Sequence, residues 1–330
     1  MKAVNWNVPE DYVNTFWNQN IAQFWTDEEF PISDDLADWH SLTSAERAVY
    51  KRVLAGLTGL DTQQGGEGMP LIAVHTDNNR QAAVMTFMSA MESVHAKSYS
   101  SIFSTLITTE DTAYLLDDWS ASHPRLTYKA ERIGLYYRAL LTQRPTVYER
   151  YMACVASVFL ESFLFYSGFY YPLYQAGQGR MTISGEVIRK IMIDESIHGL
   201  FVGMVAQELR AKLTAAERER AEQETEMLLT DLYDNEAEYT REIYDGIGLT
   251  ADVLRFVEYN ANKALMNLGL EPVFNPEPFS AIVANGLSLG TVNHDFFSKK
   301  GDGYVMALNI EKMTDADFIF EGRPIVERSI

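Results

Sequence analysis

Apolar positions along the chain recur at three- and four-residue spacings and do not alternate convincingly anywhere, so the pattern predicts helices rather than strands. Val49, Val53, Leu57 and Leu60 form one stripe, opened by the capping box Thr43-Ser44-Ala45-Glu46 and carried to Asp61, ahead of the breaker Gly65-Gly66. A second helix is expected after Thr76-Asp77-Asn78 and past Phe103, with Met88, Met91, Glu92, His95 and Tyr99 on one broad face. Thr146 and Glu149 cap a third, largely apolar helix that holds Glu161 in its middle, passes Phe169 and is expected to stop at Pro172. Thr182-Ile183-Ser184 offers a cap for a fourth, which carries Ile191, Glu195, His198 and Val202 to about Leu209. Thr214 with Glu217 opens a long charged helix to about Tyr244, and Thr250 starts another. Residues 65–78 make a short connection and 108–145 a long one with a helical hairpin of its own, which suits an all-α bundle with one long crossover.

The chemistry lies on those stripes. Two Glu-x-x-His tetrads, Glu92-Ser93-Val94-His95 and Glu195-Ser196-Ile197-His198, each put an acid and an imidazole on one helix face, and Asp61 and Glu161 precede them on separate helices. Four carboxylates and two imidazoles distributed in this way form the ligand set of a carboxylate-bridged metal pair in a four-helix core. Glu161 sits between Val158-Phe159-Leu160 and Phe163-Leu164-Phe165-Tyr166, with no Lys or Arg within four residues. Buried without cations, such acids would cost several kcal/mol apiece, roughly. Oxygen and imidazole donors without sulfur suit iron or manganese. His40, His75, His123 and His294 lack a carboxylate at helical spacing and are read as surface or capping residues.

Composition narrows the classes. The chain has 330 residues, of which 47% are hydrophobic and 12% aromatic, as in a folded protein. A net charge of -19 argues against nucleic acid or an anionic membrane as partner. Cys154 is the only cysteine, which excludes a disulfide framework and thiolate clusters; in its apolar run it reads as a small buried residue. The N-terminus lacks the apolar core of a signal peptide, and no stretch is expected to reach the ~20 apolar residues that span a bilayer. A cytoplasmic protein is the expectation. Residues 1–285 are expected to form the helical domain. Composition shifts from about Pro272, and 286–330, with Lys299-Lys300-Gly301-Asp302-Gly303, are read as a tail.

The ligand set alone leaves open a radical generator, an oxidase acting on its own substrate, and metal storage or a structural metal bundle. Tyr99, one turn after His95, separates these chemistries, because a phenol held beside a metal pair in an apolar pocket can persist as a radical. The pattern Asp61, Glu92, His95, Tyr99, Glu161, Glu195, His198 resembles the small, radical-generating subunit of class I ribonucleotide reductase. The stretches Met91–Ser100 and Leu160–Phe169 resemble its class Ib branch.

The resemblance covers residues from about 9 to 320 and implies a ferritin-like bundle with additional helices. It implies Asp61, Glu92, His95, Glu161, Glu195 and His198 as ligands of two manganese or iron ions, and Tyr99 as the tyrosyl radical site. It further implies Phe165, Phe169 and Ile191 as the radical's apolar sheath. Trp25, Asp194 and Tyr304 would lie on the path by which the radical leaves. The implied partners are a second copy of the chain, a large catalytic subunit docked through the C-terminal tail and, for dimanganese, a flavodoxin-like activase. Asp315-Ala316-Asp317-Phe318-Ile319-Phe320 resembles the acidic, aromatic end of the family's tail, with residues 321–330 following it.

Overall fold

The capping boxes form as their sequences predict. At Thr43/Glu46, Thr146/Glu149 and Thr214/Glu217 the threonine hydroxyl accepts the third-residue N–H while the glutamate accepts the threonine N–H. The computed structural model describes residues 3–8 and 11–288. In chain order its helices are α1 (Tyr12–Ala22), α2 (Leu36–Ser41), α3 (Ser44–Gln63), α4 (Met69–Val74), α5 (Asn79–Leu106), α6 (Thr109–Ala113) and α7 (Ser120–Ser122). There follow α8 (Pro124–Arg138), α9 (Val147–Phe159), α10 (Tyr166–Gly177), α11 (Thr182–Arg210), α12 (Ala215–Tyr244), α13 (Thr250–Asn267) and α14 (Ala281–Ser288). No strand occurs among the described residues.

Four helical runs enclose the core: α3, α5, the α9–α10 run and α11. α8 and α12 pack on each other, α13 packs against the α9–α10 junction, and α14 lies along α10. The approach of α14 is set by missing side chains, since a Cβ on Gly177 would fall on the Ile282 carbonyl and one on Gly286 on that of Leu173. α14 crosses residue 285, where the sequence reading places the start of the tail; residues 289–330, including Tyr304 and the 321–330 segment, lie outside the described residues.

Three sequence expectations are corrected. Gly65-Gly66 does not break its helix: a π turn over Gln64–Gly68 joins α3 to α4, and Gly65 is where this run meets α5, its absent Cβ leaving room for that of Glu92. Pro172 does not end the third helix either, which resumes at Tyr166 after a π turn over Leu160–Leu164 and runs to Gly177. A helix-interior proline costs about 3 kcal/mol. Tyr166, Phe169, Tyr170, Tyr171 and Leu173 are all buried around it, and at roughly 1.5–3 kcal/mol for a large apolar side chain that burial outweighs the cost. The resulting run Val147–Gly177 is long and apolar enough to cross a membrane, contrary to the expectation that no stretch is; its most apolar window is wholly buried inside the protein, as a core helix is.

The start of α11 also differs from its sequence signal. Met181 (φ 52°) precedes the helix in the left-handed region, and the cap comes from elsewhere in the chain. Asp35 accepts the Ile183 and Ser184 N–H groups at 3.1 and 2.7 Å, and Asp38 accepts that of Met181 at 2.9 Å.

Candidate metal centre

Six side chains from the four core runs meet in the bundle interior. Asp61 comes from the last turn of α3, Glu92 and His95 from α5, Glu161 from the π turn Leu160–Leu164, and Glu195 and His198 from α11. All are 0–1% exposed. Both lone carboxylates lie at irregular turns, Asp61 just ahead of one π turn and Glu161 inside the other, and the extra residue in such a turn re-aims the side chains around it.

The donors fall into two groups, each with its ligand atoms within 4.8 Å of one another: Asp61, Glu92, His95 and Glu195, and Glu92, Glu161, Glu195 and His198. Glu92 and Glu195 belong to both. His95 Nδ1 lies 3.3 Å from Asp61 Oδ1, 3.4 Å from Glu92 Oε2 and 2.9 Å from Glu195 Oε1. His198 Nδ1 lies 2.8 Å from Glu92 Oε1, 3.4 Å from Glu161 Oε2 and 3.6 Å from Glu195 Oε2. Two carboxylates shared between two imidazole-bearing groups form a frame for a dinuclear centre, with Asp61 and Glu161 as the terminal acids.

The donors fit such a centre. Both oxygens of Asp61, Glu92 and Glu195, Glu161 Oε2 and the Nδ1 atoms of both histidines are buried with no hydrogen-bond partner. Among the described residues no Lys or Arg forms an ion pair with any of these carboxylates. Buried acids left in this way are strongly destabilising unless cations meet them, and oxygen and imidazole donors suit manganese or iron.

Protonation follows the same crowding. Burial pushes the Asp61 carboxyl up to about 7 despite the opposing pull of His95. Burial, together with the charges of Glu92 and Glu161, raises that of Glu195 well above the carboxylate range. Burial alone would raise Glu92, but the imidazole of His198 holds it down to about 2. Both imidazoles lie well above their ordinary value: burial opposes the charge, and Asp194 chiefly outweighs it at His95, Glu92 at His198.

His95 is oriented from behind. Its Nε2 lies 3.1 Å from Asp194 Oδ2, which leaves Nδ1 facing the carboxylates. Trp25, 1% exposed, donates its indole N–H to the same Asp194 oxygen at 2.7 Å and stacks on the His95 ring at 5.9 Å and 18°. The structure therefore brings Trp25, Asp194 and His95 into one continuous contact chain ending at the cluster. Tyr99 is fully buried, and its hydroxyl has no formed hydrogen bond. Burial and the charges of Asp61, Glu195 and Glu92 hold its phenol well above the usual tyrosine range, so it is protonated. Phe165, Phe169 and Ile191 are fully buried, the two phenyl rings 5.8 Å apart.

Among the described residues, the other histidines stand apart from the centre. His40 is exposed, His75 ends α4, His123 precedes α8 and lies 3.3 Å from Glu242, and His294 is outside the described residues. Cys154 is buried, and burial pushes its thiol up to about 12.

Sequence reasoning missed several polar partners. Gln23 donates to Asp194 Oδ1 at 2.7 Å. Gln64 bonds Glu161, Ser157 and Tyr137; its signal was its place one turn after Asp61, on the same face. Lys129 and Glu236, 1% and 0% exposed, pair at 2.8 Å between α8 and α12. Lys129 interrupts the stripe Leu126, Ile133, Tyr137, a pattern visible in the sequence.

Residues 3–280 match the family model for the small chain of ribonucleotide reductase. The chain is similar to the ribonucleoside-diphosphate reductase subunit beta of Bacillus subtilis (strain 168), 49% identical over 321 residues covering 97% of this chain and 96% of the relative. It is similar also to the subunit of the same name from Bacillus phage SPbeta, 46% identical over 327 residues and 98% of both chains. Among solved structures, the dimanganese(II)-NrdF of Streptococcus sanguinis superposes with a TM-score of 0.81 at 41% identity, covering 87% of this chain and 100% of that one.

Proposed function

The chain belongs to the ribonucleotide reductase small-chain family, and on that premise we propose that Tyr99 holds the radical this beta subunit of ribonucleoside-diphosphate reductase supplies to its large subunit. The observation that carries the reading is the double frame around shared Glu92 and Glu195, whose bare oxygens face Nδ1 of His95 on one side and of His198 on the other. Asp61, Glu92, His95, Glu161, Glu195 and His198 would hold the two ions. The dimanganese centre of the Streptococcus sanguinis relative favours manganese in this ligand set, with iron as the second candidate. Once bound and itself oxidised by dioxygen or by an oxidant delivered through an activase, the metal pair would supply the one-electron oxidation of the phenol.

The chain's own residues prepare that oxidation. Tyr99 is protonated, so removing its electron requires a place for its proton, and Asp61 is the carboxylate whose interaction with the phenol acts on it most directly after burial. Full burial of Tyr99 keeps water and reductants away from the oxidised ring. Phe165, Phe169 and Ile191, fully buried on α10 and α11 or beside them, are assigned as the sheath. On the opposite side of His95, the hydrogen bond from Trp25 to Asp194 and the ring stack offer an outward route for the electron vacancy. The chain beyond α14 is assigned as the docking tail, with Tyr304 as the last carrier on this chain.

The subunit works as a dimer with a large subunit, which supplies the cysteine chemistry this chain lacks. Its single thiol is buried and held protonated. A flavodoxin-like activase for the manganese form and a cytoplasmic location belong to the same proposal. The test is ribonucleotide reduction by the metal-loaded chain mixed with a class Ib large subunit. Trp25→Phe should retain two ions and the radical yet lose turnover. Turnover equal to the parent in that variant would refute the route.

A further inference from the structure

Three of the four carboxylates at the centre have both oxygens bare, whereas Glu161 does not. Its Oε1 accepts a hydrogen bond from the side-chain amide of Gln64, and only Oε2 is unpartnered, 3.4 Å from His198 Nδ1. Gln64 is itself fully buried and fully engaged. Its Nε2 donates to Ser157 Oγ at 2.9 Å as well as to Glu161, and its Oε1 accepts the Tyr137 hydroxyl at 2.6 Å. Tyr137 and Ser157 are 0% exposed.

The chemistry of these partners fixes the amide's direction. A flipped Gln64 would set its carbonyl oxygen against a carboxylate oxygen, two acceptors facing in a buried site, and that arrangement is costly. The Tyr137 hydroxyl meanwhile holds the carbonyl end on the far side. Gln64 lies in the π turn that follows Asp61, and a Cβ on Gly68 in the same turn would fall within 2.7 Å of the Tyr137 ring, so turn, phenol and amide are packed as one unit.

We propose that Gln64 is a positioning residue that restricts Glu161 to one oxygen for the ion on the His198 side, with Tyr137 directing its amide. That side then receives fewer donor atoms from its terminal acid than the His95 side, where both oxygens of Asp61 are free. The asymmetry leaves the His198 side with room for an exogenous ligand. The proposal rests on the dinuclear reading of the site.

The test uses cobalt(II) as probe on the full chain freed of metal. Visible absorption per cobalt weakens as the coordination number rises, which reports geometry without any turnover. The parent should bind two ions per chain; failure to do so would sink the dinuclear reading itself. Given that binding, Gln64→Met, which keeps the bulk and removes the amide, and Gln64→Asn, which keeps the amide and shortens its reach, should still bind two ions with weaker visible absorption. Tyr137→Phe should show a smaller loss in the same direction. A merely structural Gln64 would lower the melting temperature and leave the spectrum alone. A parental spectrum in every variant that folds and binds two ions, or loss of one ion from the Gln64 variants, would overturn the proposal.

Discussion

Glu195→Gln is the substitution whose consequences the geometry defines most sharply. The side chain keeps its size and loses its charge, and Glu195 belongs to both donor groups, so both proposed ion positions would lose an anionic ligand at once. An ion held at a concentration one hundred times its dissociation constant stabilises the folded chain by about 2.7 kcal/mol, so two ions contribute about 5 kcal/mol. If losing one shared ligand weakens each position about a hundredfold, the same free concentration only half-fills it. The contribution then falls to about 0.4 kcal/mol per ion, or below 1 kcal/mol in all. At roughly 2 °C per kcal/mol for a chain of this size, the parent should gain about 10 °C on loading and the variant about 2 °C. The metal-free proteins should differ in the opposite sense. Burial and the charges of Glu92 and Glu161 raise the parent carboxyl well above its unfolded value, so its ionised form opposes folding at neutral pH and the neutral amide relieves that opposition. Scanning calorimetry at fixed free manganese, with and without metal, measures both effects. A metal-dependent gain as large as the parent's, or a metal-free variant several degrees less stable than the metal-free parent, would refute the shared-bridge reasoning.

Three further outcomes follow from other parts of the structure. Metal uptake should release protons, because His95, His198, Glu195 and Asp61 (pushed up to about 7) hold protons near neutrality that a cation must displace. Affinity should therefore fall from pH 8 to pH 6 by about tenfold per unit for each proton displaced, and a pH-independent affinity by titration calorimetry would contradict it. Gly65→Ala places a Cβ 2.7 Å from that of Glu92, so α5 must shift at a carboxylate that belongs to both donor groups. A stability loss of about 1–3 kcal/mol and fewer than two manganese per chain by elemental analysis are expected, while parental occupancy and stability would show the contact to be tolerated. Lys129→Met strands Glu236 in the core and should cost about 3–5 kcal/mol in urea unfolding, most of it recovered when Glu236→Leu is added. A double variant no better than the single one would deny that the loss comes from the stranded acid.

The parts of the molecule legible in its sequence are those governed by local rules. Capping at Thr43, Thr146 and Thr214 depends on residues three apart, and the two tetrads place acid and imidazole on one face by helical geometry alone. What escaped depends on partners distant in the chain or on burial overriding local preference. Gly65-Gly66 and Pro172 read as breakers, yet both lie in continuous helical runs, because the close contact of Gly65 with α5 needs a glycine and the packed aromatic residues of α10 outweigh one missing hydrogen bond. Asp35 and Asp38 cap α11 from a remote segment, so Thr182-Ile183-Ser184 misidentified the source of the cap. Gln64 and Lys129 sat on readable stripes, but a lone amide or lysine in an apolar stripe acquires meaning only when its partner is located.

The central claim is that Tyr99 carries the radical. The direct measurement is electron paramagnetic resonance of the chain loaded with manganese and activated, or loaded with iron and exposed to oxygen, prepared with ring-deuterated tyrosine and compared with Tyr99→Phe. The account predicts a tyrosyl signal that narrows on deuteration and is absent from Tyr99→Phe, although that variant still binds two ions. A tyrosyl signal that persists in Tyr99→Phe, or a fully loaded and activated parent without one, would contradict it.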